Sequence, residues 1–266
     1  MEPDVDPPDQ RMRHVSERAG GPEGTVSATG TDRPVRRAAR PAAARWARWA
    51  GVLLWVGQQG RQFAQVRAAR EVLARGDLGA PLLYAERRST DYPRDGRRPA
   101  WFFDPDLAGG GIAMMVGVHT VDRAAYLLGA GPSAVAGTVA TPDGWRVESD
   151  AAATLYFDAG PPAHVALHAD ERFYHESTVI CERGRLSVDP CGTTVVDAAG
   201  RVRRLVEVDA AGAYRDSFVR QYEALLRTLH DGVPPEVTPD EGRTAVATVL
   251  ALYASSAAGG ARMTVR

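Results

Sequence analysis

The chain has 266 residues, 32 basic and 33 acidic side chains, a formal net charge of -1 and a 44% apolar share. That is enough for one large domain or two small ones with a sizeable core, and the balanced charge excludes a global attraction to nucleic acid or to an acidic membrane surface. Every cation is Arg, because neither Lys nor Asn occurs, and Ile occurs only as Ile112 and Ile180; no Schiff-base lysine, lysine general base or P-loop lysine can therefore operate here.

Residues 1–32 are rich in Pro, Gly, Asp and Arg without apolar periodicity, the composition of a disordered segment. Arg33–Arg48 carries only Arg charges among Ala, and the whole of 1–50 is expected to be disordered or not natural coding sequence. Arg36 and Arg37 precede an apolar run too short for a twin-arginine signal, and no run spans a bilayer, so the expectation is a cytoplasmic protein. Val52–Val56, closed by Gly57, reads as a short buried strand. Gln62–Arg75 has helical spacing, with Gly76 as its terminating glycine, and Leu82–Arg88 reads as a strand. Leu107–Leu128 is helical, opened by Gly109–Gly111 and stopped by Gly129.

From Ser133 the period changes to two. Ser133–Ala140, Ser149–Phe157, Ala163–Asp170 and Ser177–Val188 alternate like strands, and Thr194–Val196 and Val202–Val208 are weaker candidates. Two helices close the chain. Phe218, Tyr222, Leu225, Leu226 and Leu229 fall on one face of the first; the second opens with the capping box Thr238-Pro239-Asp240-Glu241. Strands in a row followed by helices predict an α/β (α+β) domain over 51–266. Its mostly antiparallel open sheet would have one face covered by the helices around Val116, Leu225 and Val249.

Cys181 and Cys191 make neither a zinc pattern nor a disulfide framework. His164 and His168 are four residues apart on a strand, about 13 Å by the rise per residue, too far to chelate one ion. No Rossmann fingerprint is present: Gly109-Gly110-Gly111 has Met114 where the third glycine belongs, and Gly129-Ala130-Gly131 follows a helix instead of a strand. The remaining chemical signal is His119, ten residues after Gly109 on an apolar helix. Imidazole is the side chain best suited to move a proton near neutral pH.

The run Gly109-Gly110-Gly111, then Gly117-Val118-His119 and Asp122, resembles the active-site helix of the Gfo/Idh/MocA oxidoreductases. Val56-Gly57-Gln58-Gln59-Gly60-Arg61-Gln62-Phe63 is similar to that family's crossover into its second domain, and Gly76-Asp77-Leu78-Gly79 to a characteristic turn. Trp101 with Asp104-Pro105, Glu182-Arg183-Gly184-Arg185-Leu186 and Tyr253-Ala254-Ser255-Ser256 continue the match in order. The resemblance spans about Gly51 to Arg266 and implies a C-terminal domain of the glyceraldehyde-3-phosphate dehydrogenase-like type. It also implies NAD- or NADP-dependent oxidation of a CH–OH group on a sugar, cyclitol or related polyol. By the match, His119 takes the hydroxyl proton, and Arg61, Trp101 and Met115 lie at the substrate. Asp122, one helical turn on, would orient the His119 ring. Family members bury the open sheet face against another subunit, so a homodimer or tetramer is expected.

There are departures. Met115 stands where the family has an acidic residue, and Asp32-Arg33-Pro34 where it has Glu-Lys-Pro; Arg33 cannot carry the proton that Lys does. The preceding dinucleotide-binding half is missing, so the expectation is a chain inactive alone, truncated or mis-started in its gene. The rival expectation is a non-catalytic domain for ligand binding or oligomerisation.

Overall fold

A computed structural model describes residues 43, 47, 49–91, 98–169 and 173–266. The expectations placed on residues 1–42, including the Asp32-Arg33-Pro34 junction, lie outside these described residues.

The strands are β1 (Pro81–Thr90), β2 (Ala134–Ala140), β3 (Asp150–Tyr156), β4 (Ala163–Ala169), β5 (Tyr174–Cys181), β6 (Gly184–Asp189), β7 (Gly192–Asp197), β8 (Val202–Glu207) and β9 (Met263–Thr264). They form one sheet in the order β8-β7-β6-β5-β1-β4-β3-β2-β9. The β1–β4 pair is parallel and every other pair antiparallel. The alternation that identifies the strands also orients them: Ala163, Val165 and Leu167 are buried, whereas His164, Ala166 and His168 between them are exposed.

The helices are α1 (Ala64–Arg75), the single turn α2 (Pro105–Ala108), α3 (Val118–Leu128), α4 (Ala210–Asp231) and α5 (Pro239–Ala257). Three of them lie side by side on the inner face, α1 over β6–β8, α3 over β1 and α5 over β2. Val66, Ala69 and Val72 of α1, Val121, Ala124 and Leu127 of α3, and Ala245, Val249 and Leu252 of α5 meet Tyr84, Leu155, Val179 and Leu186 of the sheet in one core. α1 ends at Gly76, whose left-handed φ of 70° lets its N–H reach Leu73 O. α5 starts with the full capping box of Thr238 and Glu241, with Pro239 inside the first turn.

Three expectations change. Val52–Val56 is not a strand; the sheet's edges are β8 and β9, and neither pairs with it. Instead Val56 packs on α5, where a Cβ added to Gly242 would sit 2.8 Å from Val56 Cγ1. Ser177–Val188 is a hairpin, broken at Glu182-Arg183 between β5 and β6. The helix around Leu225 is not part of the inner layer: α4 packs on the 3-10 turn Gln59–Gln62. Tyr222, Leu226 and Leu229 on it are 62%, 52% and 57% exposed. Apolar spacing says that a helix has an apolar face, not what covers it. No helix among the described residues is long and apolar enough to cross a membrane.

Candidate active site

Gly109–Gly111 is a structural device. Gly109 and Gly110 have φ of 81° and 151°, and a Cβ on Gly110 would lie 2.0 Å from the Tyr253 hydroxyl. A Cβ on Gly111 would lie 2.1 Å from Glu148 O. The buried Glu148 carboxylate accepts hydrogen bonds from the N–H groups of Gly111 (2.8 Å) and Ala113 (3.1 Å) and from the Tyr253 hydroxyl (2.7 Å). The loop is filled by the protein itself, so it is no cradle for a pyrophosphate. Among the described residues no strand–glycine turn–helix unit fits a dinucleotide.

Clamped there, the chain makes a π-helical turn, Ala113–Gly117, before α3 begins. Such turns recur at functional sites because they re-aim the residues that follow. The next turn carries His119 and Thr120, and one more carries Asp122 and Arg123.

The His119 ring is held by Gln58, whose Oε1 lies 2.6 Å from Nδ1. With the amide oxygen toward the ring, Nδ1–H donates and Nε2 keeps its lone pair. Burial, and then the charges of Arg88 and Arg123, push the His119 pKa down to about 4. The imidazole is therefore neutral at pH 7 and able to accept a proton at Nε2.

Asp122 does not touch this ring. It receives Nε and Nη2 of Arg61 at 3.0 and 2.7 Å, in the fork geometry of a carboxylate–guanidinium pair. Arg61 also donates to Glu236 O (2.8 Å) and pairs with Glu241 (3.0 Å). Burial opposes the charge on Arg61, but Asp122 and Glu241 outweigh it and hold the pKa up. Burial pushes the Asp122 carboxyl up and Arg61 pulls it back; the fork is that of an ionised pair. The pair ties the turn before α1 to α3 and α5, and the ring-orienting role expected of Asp122 falls to Gln58.

Met115, in the π-helical turn, packs between the main core and a satellite cluster of Phe102 and Val147. Trp101 is 47% exposed and edge-on to Phe102 at 5.7 Å. Among the described residues no hydrogen bond, ion pair or ring contact joins Trp101 to His119.

Beneath His119 is a polar cluster that the sequence did not reveal. β1 turns Tyr84, Glu86 and Arg88 inward, and β5 sets Ser177 opposite Glu86 and His175 opposite Arg88. The Glu86 carboxylate accepts from Thr120 (2.9 Å), Ser177 (3.3 Å) and the Tyr84 hydroxyl. His175 Nδ1 lies 3.3 Å from Arg123 Nη1. Burial, then Arg123 and Arg88, hold the His175 pKa well below its ordinary value.

The family model of the GFO/IDH/MocA C-terminal domain matches residues 66–187. D-xylose 1-dehydrogenase (NADP(+)) 2 of Haloferax volcanii is 30% identical over 215 residues, 80% of this chain. This chain spans 65% of that enzyme's length. Among solved structures, an NAD binding oxidoreductase from Klebsiella pneumoniae superposes with a TM-score of 0.76 at 19% identity, over 85% of this chain and 70% of that one. An oxidoreductase domain protein from Kribbella flavida does so with a TM-score of 0.73 at 23% identity, over 85% and 69%.

Proposed function

From the premise that this chain belongs to the Gfo/Idh/MocA family and carries its C-terminal domain, we propose that it forms the substrate half of an NAD- or NADP-dependent oxidoreductase acting on a CH–OH group of a sugar, cyclitol or related polyol. The observation that carries this reading is the Gln58–His119 contact of 2.6 Å, which engages Nδ1 and leaves Nε2 as the proton acceptor of an imidazole that burial keeps neutral. His119 would accept the hydroxyl proton at Nε2, which is this chain's own part in such an oxidation. Gln58 holds the ring, and the Arg61–Asp122 pair holds the Gln58–Arg61 turn against α3. Arg61 and Asp122 are thus positioning residues, and Met115 and Trp101 keep the substrate-side role that the resemblance implies.

Nicotinamide supplies the hydride acceptor in this chemistry. The described residues do not fit it, so assayed by itself the chain should reduce no NAD(P). The relative from Haloferax volcanii is named for D-xylose, which places a pentose among the first polyols to test. The second subunit expected on the open sheet face belongs to the same reading.

The test joins a dinucleotide-binding domain of a family member ahead of Gly51. In that fusion His119→Ala should lower turnover by roughly two to four orders of magnitude, the usual worth of a general base. Gln58→Ala should lower it less and leave the melting temperature nearly unchanged. A correctly folded fusion whose rate is indifferent to His119→Ala removes the catalytic assignment.

A further inference from the structure

We infer that Arg88 and Arg123, beside His119, bind an anionic group of the substrate, a carboxylate or phosphate carried by the polyol. This rests on the reading of His119 as the base and names the substrate class it serves.

The argument is one of charge. A guanidinium stays ionised in proteins, so Arg88 and Arg123 bring two cations into the space between α3 and the sheet. One carboxylate, Glu86, lies beside them, and its oxygens are taken by the hydroxyls of Thr120, Ser177 and Tyr84. Among the described residues neither Arg88 nor Arg123 has an ion-pair partner. Arg123 is 4% exposed, and its one hydrogen bond is to the neutral His175. The buried Nε atoms of Arg88 and Arg123 and Nε2 of His175 have no hydrogen-bond partner at all.

Buried polar groups are nearly always satisfied, and buried charges nearly always paired. Two orphaned guanidinium nitrogens, and a His175 Nε2 that comes no nearer than 3.9 Å to Glu86 Oε1, with an excess of one positive charge, describe a site complementary to an anion. The Arg61–Asp122 pair, whose carboxylate stands on the same helix as Arg123, shows the paired alternative. A neutral polyol would leave the excess charge where it is. Burial, and then repulsion from Arg123, already lower the Arg88 pKa to about 10.

The position couples binding to chemistry. The His119 ring is held by Gln58 and feels the charges of Arg88 from β1 and Arg123 from its own helix; Glu86 and His175 belong to the same cluster through Thr120 and Arg123. The two guanidiniums are what hold His119 down after burial. An anion lying between them offsets both, so His119 becomes more basic when the substrate arrives. Phe173, 60% exposed and edge-on to His175 at 6.4 Å, offers an apolar wall for the sugar ring.

The test uses the full chain and four probes: D-glucuronate, D-glucose 6-phosphate, D-glucose and inorganic phosphate. The His119 imidazole resonance is titrated by NMR with each, and affinities are measured by calorimetry. The expected result is that at least one anionic sugar binds tenfold or more tightly than glucose and moves the His119 pKa up from about 4. Comparing glucuronate with glucose 6-phosphate identifies carboxylate or phosphate as the group. Arg88→Met should abolish the preference and melt no lower than the unsubstituted chain, because it removes a cation without a partner. Glucose matching both anionic sugars in affinity, or anion binding that leaves the His119 titration unmoved, overturns the inference. So does a preference that survives Arg88→Met, or inorganic phosphate binding as tightly as the sugars. Failure of the base reading looks different: the anionic preference holds, yet His119→Ala in the fusion turns over at the full rate.

Discussion

His119 and His175 both enter the folded protein as neutral rings, and that has a sign. In the unfolded chain a histidine titrates near 6.5, whereas folded His119 titrates near 4. Between those values the unfolded chain holds more protons, so the stability present above about pH 6.5 is lost as pH falls toward about 4. His175 shifts in the same direction. The urea midpoint should therefore fall between pH 7.5 and pH 5, and His119→Gln should flatten part of that fall. An equal slope in the variant would mean that His119 is not held neutral by the fold. At this scale His119 was legible, because one histidine stands on an apolar helix. Gln58 was not: it lies 61 residues away in sequence and reads locally as one polar residue in a glycine-rich turn.

The segment Leu107–Leu128 was legible as helical, but it is broken at Gly109–Gly111 and runs through a π-helical turn before the α-helix begins at Val118. Its start is fixed by Glu148, Tyr253 and the backbone of Glu148, none of which is local. Gly110 and Gly111 are there because neighbours occupy the space of a side chain, and Gly109 because of its left-handed φ of 81°. Gly111→Ala drives a Cβ to within 2.1 Å of a backbone oxygen and should cost about 3 kcal/mol or more. Gly76→Ala meets nothing within 4 Å and should cost only about 1 kcal/mol for its left-handed φ. Urea unfolding of the two variants checks this, and equal losses would mean that the loop is not held as described. In the fusion Gly111→Ala should also slow turnover, since the π-helical turn sets the aim of His119.

The inner face of the sheet is covered by α1, α3 and α5, and the outer face by no helix among the described residues. On it lie Ala152, Ala166 and Ile180, with His164 and His168 facing the same way. Thr138, Ala140, Ala152, Ala166 and His168 line a groove of about 480 Å³ there. This uncovered face mixes small residues with Arg87, Asp150, Tyr174 and the two histidines, and it is the face that the expected second subunit would cover. Light scattering at micromolar concentration should show a dimer or tetramer, and Ala166→Arg should dissociate it. A monodisperse monomer of the unsubstituted chain would remove the subunit from the proposed function.

Elements whose signals are local could be read from the chain alone. The period of two set which residues of β4 point inward, Gly76 ended α1, and Thr238 with Glu241 started α5, because each depends on contacts within a few residues. The order of strands and helices was enough for a mostly antiparallel sheet with helices on one face. Which partners these elements take depends on the folded whole. Val52–Val56 has strand composition but no free edge to pair with. The α4 stripe has helical spacing but lies outside the core layer. Asp122 stands one turn from His119 but bonds to Arg61. The cluster of Glu86, Arg88, Arg123 and His175 exists only because β1 lies beside β5 in one register and α3 crosses above them. Such contacts join residues tens of positions apart, and what selects them is the burial and charge balance of the whole fold, which no local window contains.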